Sequence, residues 1–154
     1  MINLKLIARI IGVLLLIESA MLLFCSGVSL FYQGDDLTSF IYTAIISAIV
    51  GVLLTFLSKG AEKYLSRRDG YLVVALSWIV VSIVGTIPFY HSGYIPNLAD
   101  AYFESISGFS STGSTILDNI EELPHGILFW RSLSQWIGGL GIIVFTIAIL
   151  PLFG

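Results

Sequence analysis

The segment ISGFSSTGSTILD, residues 106–118, decides how this chain folds. It supplies hydroxyl groups, glycines and one carboxylate between long apolar segments. At membrane depth, irregular backbone is tolerated only where protein buries it or where it lines a watery cavity. If the chain spans a membrane, the fold must therefore give this segment such a place.

The overall composition places the chain in a lipid bilayer. Of its 154 residues, 56% are hydrophobic and 11% are charged, with a mean hydropathy of +0.96. These values lie outside the range of soluble domains. Four segments are long enough to cross a hydrocarbon core of about 30 Å as helices, namely residues 4–32, 37–57, 71–90 and 127–153. We expect an all-α membrane protein.

The basic residues predict the orientation of these spans. Six of the seven lie near the start of the first span or between the second and third spans: Lys5, Arg9, Lys59, Lys63, Arg67 and Arg68. Loops rich in Lys and Arg stay in the cytoplasm, so both ends of the chain are expected there. The acidic residues, Asp36 among them, are then expected on an outward-facing surface. Topology explains the basic loop at residues 59–69, so we expect no nucleic-acid partner.

The chain divides into two blocks on either side of this loop. Residues 1–58 predict a transmembrane helical hairpin. Residues 70–154 predict a pore unit with an outer helix over 70–90 and an inner helix over 127–153. The connection between these two helices is far longer than a turn requires, and such loops are usually functional or disordered.

A short helix is predicted over residues 97–109 of this connection. Pro96 precedes it, Asn97 can cap it, Asp100 lies in its first turn, and it should end near Gly108. A helix of about 18 Å cannot span the membrane, so it is expected to enter from outside and return. This makes it a candidate re-entrant pore helix.

Residues 110–115 are the candidate selectivity filter. Ser111, Thr112, Gly113, Ser114 and Thr115 supply closely spaced carbonyls and hydroxyls without a fixed charge, which is the chemistry that replaces the hydration shell of a monovalent cation. A glycine among them adopts positive φ without a Cβ clash. The simpler alternative is a helix C-cap followed by a polar loop.

Two charged residues flank this loop in sequence. Glu104 lies on the candidate pore helix, where a carboxylate at membrane depth indicates a functional role. We predict that it pairs with Arg131 and supports the filter from behind. The alternative is that Arg131 extends to Asp118 or Glu122 at the surface.

Other polar or small residues within the spans have more ordinary explanations. Gly138, Gly139 and Gly141 on the inner helix indicate either close helix packing or a hinge beside the pore. Glu18 lies in the middle of the first span, where we expect it to be protonated or to meet a polar partner such as Ser47.

Two combined motifs identify a family. ESISGFSSTGSTIL at residues 104–117, followed by RSLSQWIGGLGII at residues 131–143, closely resembles the first pore unit of the Trk/Ktr/HKT potassium transporters, most like the TrkH type. The resemblance covers essentially the whole chain, since residues 1–58 look like the extra N-terminal helix pair of TrkH-like proteins. Family members carry four pore units in one chain, and one is recognisable here. The resemblance therefore implies the N-terminal part of a potassium-uptake transporter of the bacterial inner membrane.

The resemblance also implies a site and partners. Potassium, the transported substrate, would bind through Ser111, Thr112, Gly113 and Ser114, with Gly113 in the place of the first glycine of the potassium-channel filter signature. No covalently bound cofactor is implied. Besides the lipid bilayer, the implied partners are a second copy of the full-length chain and a cytoplasmic nucleotide-binding regulatory subunit.

Three other functions are open. One is a homotetrameric cation channel with one filter strand per subunit, and another is a noncatalytic membrane-assembly protein. The third is an intramembrane serine hydrolase that uses Ser110. Its spacing does not match G-x-S-x-G, and His91 and His125 are expected outside the membrane, where they could not easily activate this serine. We therefore expect no enzyme.

Overall fold

The computed structural model describes residues 2–60 and 66–149, and these residues form helices and connecting loops. The α-helices are α1 (Leu4–Phe31), α2 (Leu37–Leu57), α3 (Arg67–His91), α4 (Leu98–Phe109) and α5 (His125–Ile149). A 3-10 helix, Ile120–Glu122, precedes α5. The all-helical fold class is confirmed over the described part of the chain.

Three of the described helices are long and apolar enough to cross a membrane, namely Leu4–Phe31, Leu37–Leu57 and Arg68–His91. The fourth predicted span corresponds to α5, and its final predicted residues, 150–153, lie outside the described residues. Residues 61–65 of the predicted basic loop lie outside them as well.

The start of α3 differs from the sequence prediction, which began this helix at residue 70. Ser66 caps it, because its hydroxyl accepts a hydrogen bond from the Asp69 backbone N–H at 3.2 Å. In return, Asp69 Oδ2 accepts from the Ser66 N–H at 3.1 Å. This capping box satisfies two backbone donors at once, so α3 begins at Arg67.

Close backbone contact holds α1 and α2 together. A Cβ atom added at Gly12 would lie 2.9 Å from the carbonyl oxygen of Gly51, and one added at Gly51 would lie 2.8 Å from that of Gly12. Small residues let membrane helices approach in this way. Ser47 adds a hydrogen bond between the helices, since its hydroxyl donates to the Leu15 carbonyl at 2.8 Å.

Ser47 is therefore not the polar partner of Glu18, which was one of the two outcomes expected for this carboxyl group. The hydroxyl proton of Ser47 is used by the backbone of the facing helix. Glu18 is buried, and within the described residues neither of its carboxyl oxygens has a hydrogen-bond partner.

Contacts with α3 and α5 hold α4 in place. Ser105 on α4 donates its hydroxyl proton to the Ser82 carbonyl of α3 at 2.8 Å. Phe109 at the end of α4 packs edge-on against Trp130 of α5, with ring centroids 5.8 Å apart. The Trp130 indole N–H donates to the Gly85 carbonyl of α3 at 3.2 Å. The short helix is therefore fixed between α3 and α5.

Candidate functional site

The candidate site begins with α4. This helix runs from Leu98 to Phe109, and Asn97 caps it by accepting a hydrogen bond from the Ala99 N–H at 3.0 Å. Asp100 lies in the first turn, where a negative charge is favourable. The predicted range, residues 97–109, includes this capping residue.

The end of α4 turns the chain sharply into the candidate filter. The Ser111 N–H donates to the Gly108 carbonyl at 2.8 Å, and the Thr112 N–H donates to the Ser107 carbonyl at 3.0 Å. This is the Schellman pattern, which requires a left-handed residue after the helix. Ser111 takes that position with φ of +56°, although glycine is the usual choice. The left-handed conformation costs a non-glycine residue roughly 1 kcal/mol.

Ser107 also fixes the loop that follows. Its carbonyl accepts from the Gly113 N–H at 3.3 Å, and its hydroxyl donates to the Ser114 carbonyl at 2.6 Å. Gly113 has φ of +74°, a conformation that glycine adopts without a Cβ clash. Residues 111–115 are exposed on the surface of the chain. Ser107 lies inside the helix that precedes the loop, and no sequence pattern marks its hydroxyl as part of the site.

Glu104 joins the loop to α5. Its Oε1 lies 2.5 Å from Arg131 Nε, so the ion pair considered in the sequence analysis is present. Its Oε2 accepts hydrogen bonds from Thr115 Oγ1 at 3.0 Å and from the Ile116 N–H at 3.3 Å. The Glu104 side chain is almost fully buried, so its charge is compensated on both oxygens.

The three glycines of α5 have different surroundings. A Cβ added at Gly138 would lie 2.8 Å from the Gly108 carbonyl oxygen, which favours the close-packing interpretation. A Cβ at Gly139 would make an ordinary contact, 3.5 Å from Ser111 Oγ. A Cβ at Gly141 would meet no described atom within 4 Å. Close packing therefore accounts for Gly138 but not for Gly141.

Asp36, from the connection between α1 and α2, caps α5. It is buried, and its Oδ2 accepts a hydrogen bond from the Ile127 N–H at 2.9 Å. Its Oδ1 accepts from the hydroxyl of Ser29. The first N–H groups of a helix lack intrahelical partners and favour a negative charge. Asp36 is therefore buried, and the expectation that it contributes to an exposed acidic surface is wrong.

Two further contacts join the α1–α2 connection to other parts of the chain. The rings of Tyr32 and His125 stack in parallel, with centroids 4.1 Å apart. The Tyr94 hydroxyl donates to Asp35 at 2.9 Å. This hydrogen bond to a carboxylate holds the proton on the phenol and raises the pKa of Tyr94 above its ordinary value.

The residues considered for other chemistry are engaged elsewhere. The Ser110 hydroxyl lies 2.8 Å from Thr112 Oγ1, whereas His91 Nδ1 contacts Ser39 Oγ at 2.9 Å and His125 stacks on a tyrosine. Neither histidine therefore contacts Ser110 as the hydrolase interpretation would require. Among residues 2–60 and 66–149, no group of three or more His, Cys, Asp and Glu side chains could hold a metal ion.

Comparison with known proteins identifies relatives of the whole chain. The model of the TrkH family, described as cation transport protein, matches residues 37–154. The chain is 40% identical over 150 residues to the Trk system potassium uptake protein TrkH of Escherichia coli strain K12, covering 96% of this chain and 31% of that protein. It is 33% identical over 154 residues to TrkG of the same organism, covering 99% of this chain and 32% of that protein.

A solved structure shares the fold. The crystal structure of the potassium transporter TrkH from Vibrio parahaemolyticus matches with a TM-score of 0.90 and 38% identity, covering 97% of this chain and 32% of that one. The chain thus spans about a third of the length of these relatives. The apolar helices and these transport-protein relatives make it a membrane protein and not an enzyme. The family match over most of its length shows that the chain belongs to the TrkH family of cation transport proteins.

Proposed function

We propose that the chain is the N-terminal part of a potassium-uptake transporter and that residues 111–115 form one strand of its selectivity filter. The observation that carries this proposal is the anchoring of an exposed, uncharged loop by a buried carboxylate, since Glu104 holds both Thr115 and Arg131. The names of the relatives support potassium as the transported ion.

The chemistry of the loop suits an alkali cation. Carbonyl and hydroxyl oxygens of Ser111, Thr112, Gly113 and Ser114 would replace part of the ion's hydration shell. The C-terminal end of α4 adds a partial negative charge that favours a cation. Because residues 111–115 are exposed on this chain, they are free to face further filter strands. In this proposal α4 is the re-entrant pore helix.

Glu104 and Arg131 are filter-support residues in this proposal. They do not contact the ion. Their role is to hold the backbone after the filter against α5, through the Ile116 N–H and the Thr115 hydroxyl. Because the carboxylate is buried, loss of its cationic partner would leave an uncompensated charge, which costs about 3–5 kcal/mol.

The remaining filter strands would come from the rest of a longer chain. The relatives are about three times as long as this chain, which favours several pore units in one polypeptide over a homotetramer. We place the protein in the bacterial inner membrane with both ends of this segment in the cytoplasm, on the side of its basic residues. A homodimer of the full-length chain and a cytoplasmic nucleotide-binding subunit complete the proposed assembly.

Rubidium uptake by the full-length parent chain tests the filter assignment. Gly113→Ser is compared with Gly93→Ser, because both glycines have positive φ, at +74° and +81°, and open space around an added Cβ. The two substitutions therefore impose similar backbone strain. We expect Gly113→Ser to reduce uptake or the preference for potassium over sodium, and Gly93→Ser to change neither. Unchanged flux and selectivity in Gly113→Ser would contradict the proposal.

A further inference from the structure

A cavity of about 310 Å³ lies between α1, α3 and α5, beside the end of α4. Its wall includes Met21 of α1, Trp78 of α3, Phe109 of α4 and Gly141 of α5. This volume is at the lower end of the range of small-molecule pockets, about 300–1,000 Å³. The cavity is therefore large enough for a small organic molecule, and it is separate from the candidate filter.

Two buried polar groups in this wall have no hydrogen-bond partner in the part of the chain that the structure describes. Glu18 is only 3% exposed, and neither of its carboxyl oxygens has a hydrogen bond within the described residues. The hydroxyl of Ser77 is likewise buried without a bond to any described group. Both residues line the cavity. Because buried polar groups in proteins are nearly always hydrogen-bonded, these two indicate an occupant that offers a matching group.

The wall chemistry defines the class of occupant. Most lining side chains are apolar, so the occupant needs an apolar body. An ionised carboxylate without a partner is far more costly to bury than a neutral acid, so the matching head group is neutral. A potassium ion is a poor match, because the two unpartnered groups offer only three oxygens where a filter surrounds the ion with carbonyls.

We propose that this cavity binds a membrane-soluble molecule with an apolar body and one neutral hydroxyl or amide head group, which hydrogen-bonds to Glu18 and Ser77. Ile17 lines the cavity and is 47% exposed on the surface of this chain, within a helix long and apolar enough to cross a membrane, so such a molecule would enter from the bilayer. A molecule bound there would also contact Phe109, the last residue of α4.

Dicyclohexylcarbodiimide, a lipid-soluble carboxyl reagent, tests access to Glu18 in the full-length parent chain in membranes. The carboxyl oxygen adds to the central carbon of the carbodiimide while the acid proton moves to one of its nitrogens. Migration of the acyl group to nitrogen then leaves a stable N-acylurea. Peptide mass spectrometry should find this adduct on Glu18 and not in Glu18→Gln. We expect 1-dodecanol, as a competing apolar alcohol, to slow labelling several-fold.

A pair of glycine variants tests the position of the ligand. Gly141→Leu narrows the cavity, and an added Cβ there meets no described atom. Gly27→Leu is the matched control, because its surroundings are equally open and it does not line the cavity. Labelling should fall several-fold in Gly141→Leu and stay unchanged in Gly27→Leu.

Three results would overturn the proposal. The first is absence of the adduct on Glu18 in wild type. The second is labelling that dodecanol does not slow. The third is preferential labelling of Glu18 by a water-soluble carbodiimide, which would show an aqueous cavity. The dodecanol competition uses the wild-type chain, so it stands even if Gly141→Leu fails to fold.

Discussion

Asp36 Oδ2 accepts a hydrogen bond from the backbone N–H of Ile127 at 2.9 Å, joining residues 91 positions apart in the sequence. The contact connects the turn of the α1–α2 hairpin to the first turn of α5. A Cβ added at Gly126 would collide with the same carboxylate, so this glycine permits the approach. The N-terminal hairpin therefore helps to position the helix that packs against the candidate filter.

Replacement of Asp36 by alanine should destabilise the chain. The change removes the acceptor for the Ile127 N–H and leaves a buried donor unpaired, at a cost of about 1–3 kcal/mol. Asp36→Asn keeps an acceptor oxygen and should therefore lose less stability than Asp36→Ala. Thermal unfolding of the full-length protein in detergent measures both effects. Asp35→Ala, at the exposed neighbouring position, is the control, and an equal loss there would contradict the capping role.

Breaking the Glu104–Arg131 pair should destabilise the chain more than breaking an exposed ion pair would. Arg131→Met leaves the buried Glu104 carboxylate without its cation and should cost about 3–5 kcal/mol, with a loss of rubidium uptake. Thr115→Val removes one neutral donor to the same carboxylate and should cost about 1 kcal/mol.

A double-mutant cycle separates this pair from general destabilisation. Glu104→Gln combined with Arg131→Met should be less damaging than the sum of the two single changes. Glu122→Gln is the exposed control, and we expect no measurable effect from it. If the effects of the two single variants add fully, the pair does not act as a unit and the filter-support role fails.

Two glycines of α5 should respond oppositely to alanine. Gly138→Ala forces a Cβ against the backbone at the end of α4 and should cost about 1–3 kcal/mol, because backbone cannot move aside as a flexible side chain can. Gly141→Ala places its Cβ in open space and should be neutral or slightly stabilising. Thermal unfolding of the two variants compares them directly. Equal destabilisation would mean that helix propensity, and not contact with α4, decides the result.

Local sequence patterns predicted the helices but not the contacts between them. The apolar segments predicted α1 to α3, and Asn97 and Gly108 indicated the two ends of α4 to within about one residue. The start of α3 was missed because the capping box of Ser66 and Asp69 was not considered.

Long-range contacts had no such signal. Nothing near Asp36 indicates a partner 91 residues away. Of the two outcomes expected for Glu18, protonation or a polar partner such as Ser47, the Ser47 partner is wrong, because that hydroxyl donates to a facing backbone carbonyl and Glu18 has no hydrogen bond within the described residues. The ion pair of Glu104 with Arg131 could be predicted, because a buried carboxylate needs a cation and few basic residues lie near it in the sequence. Its second oxygen bonds to the Ile116 N–H, and backbone donors carry no sequence signal.

The hydrogen bond from Ser107 to the Ser114 carbonyl leads to the last prediction. This bond, at 2.6 Å, restrains the filter loop from the side of α4. Ser107→Ala should therefore leave the protein folded, with a loss of about 1 kcal/mol, and weaken discrimination between potassium and sodium because carbonyl positions in the loop become less defined. Competition of sodium with rubidium uptake measures this discrimination.

Ser111→Gly separates the effect of the left-handed backbone at residue 111 from the effect of the Ser107–Ser114 hydrogen bond. Ser111 holds φ of +56°, so glycine there should stabilise the chain by roughly 1 kcal/mol. The Ser107 hydroxyl bond stays intact in this variant, so selectivity should change less than in Ser107→Ala. If Ser111→Gly lost as much discrimination as Ser107→Ala, the left-handed serine itself would set the carbonyl positions, and the restraining role of Ser107 would be wrong.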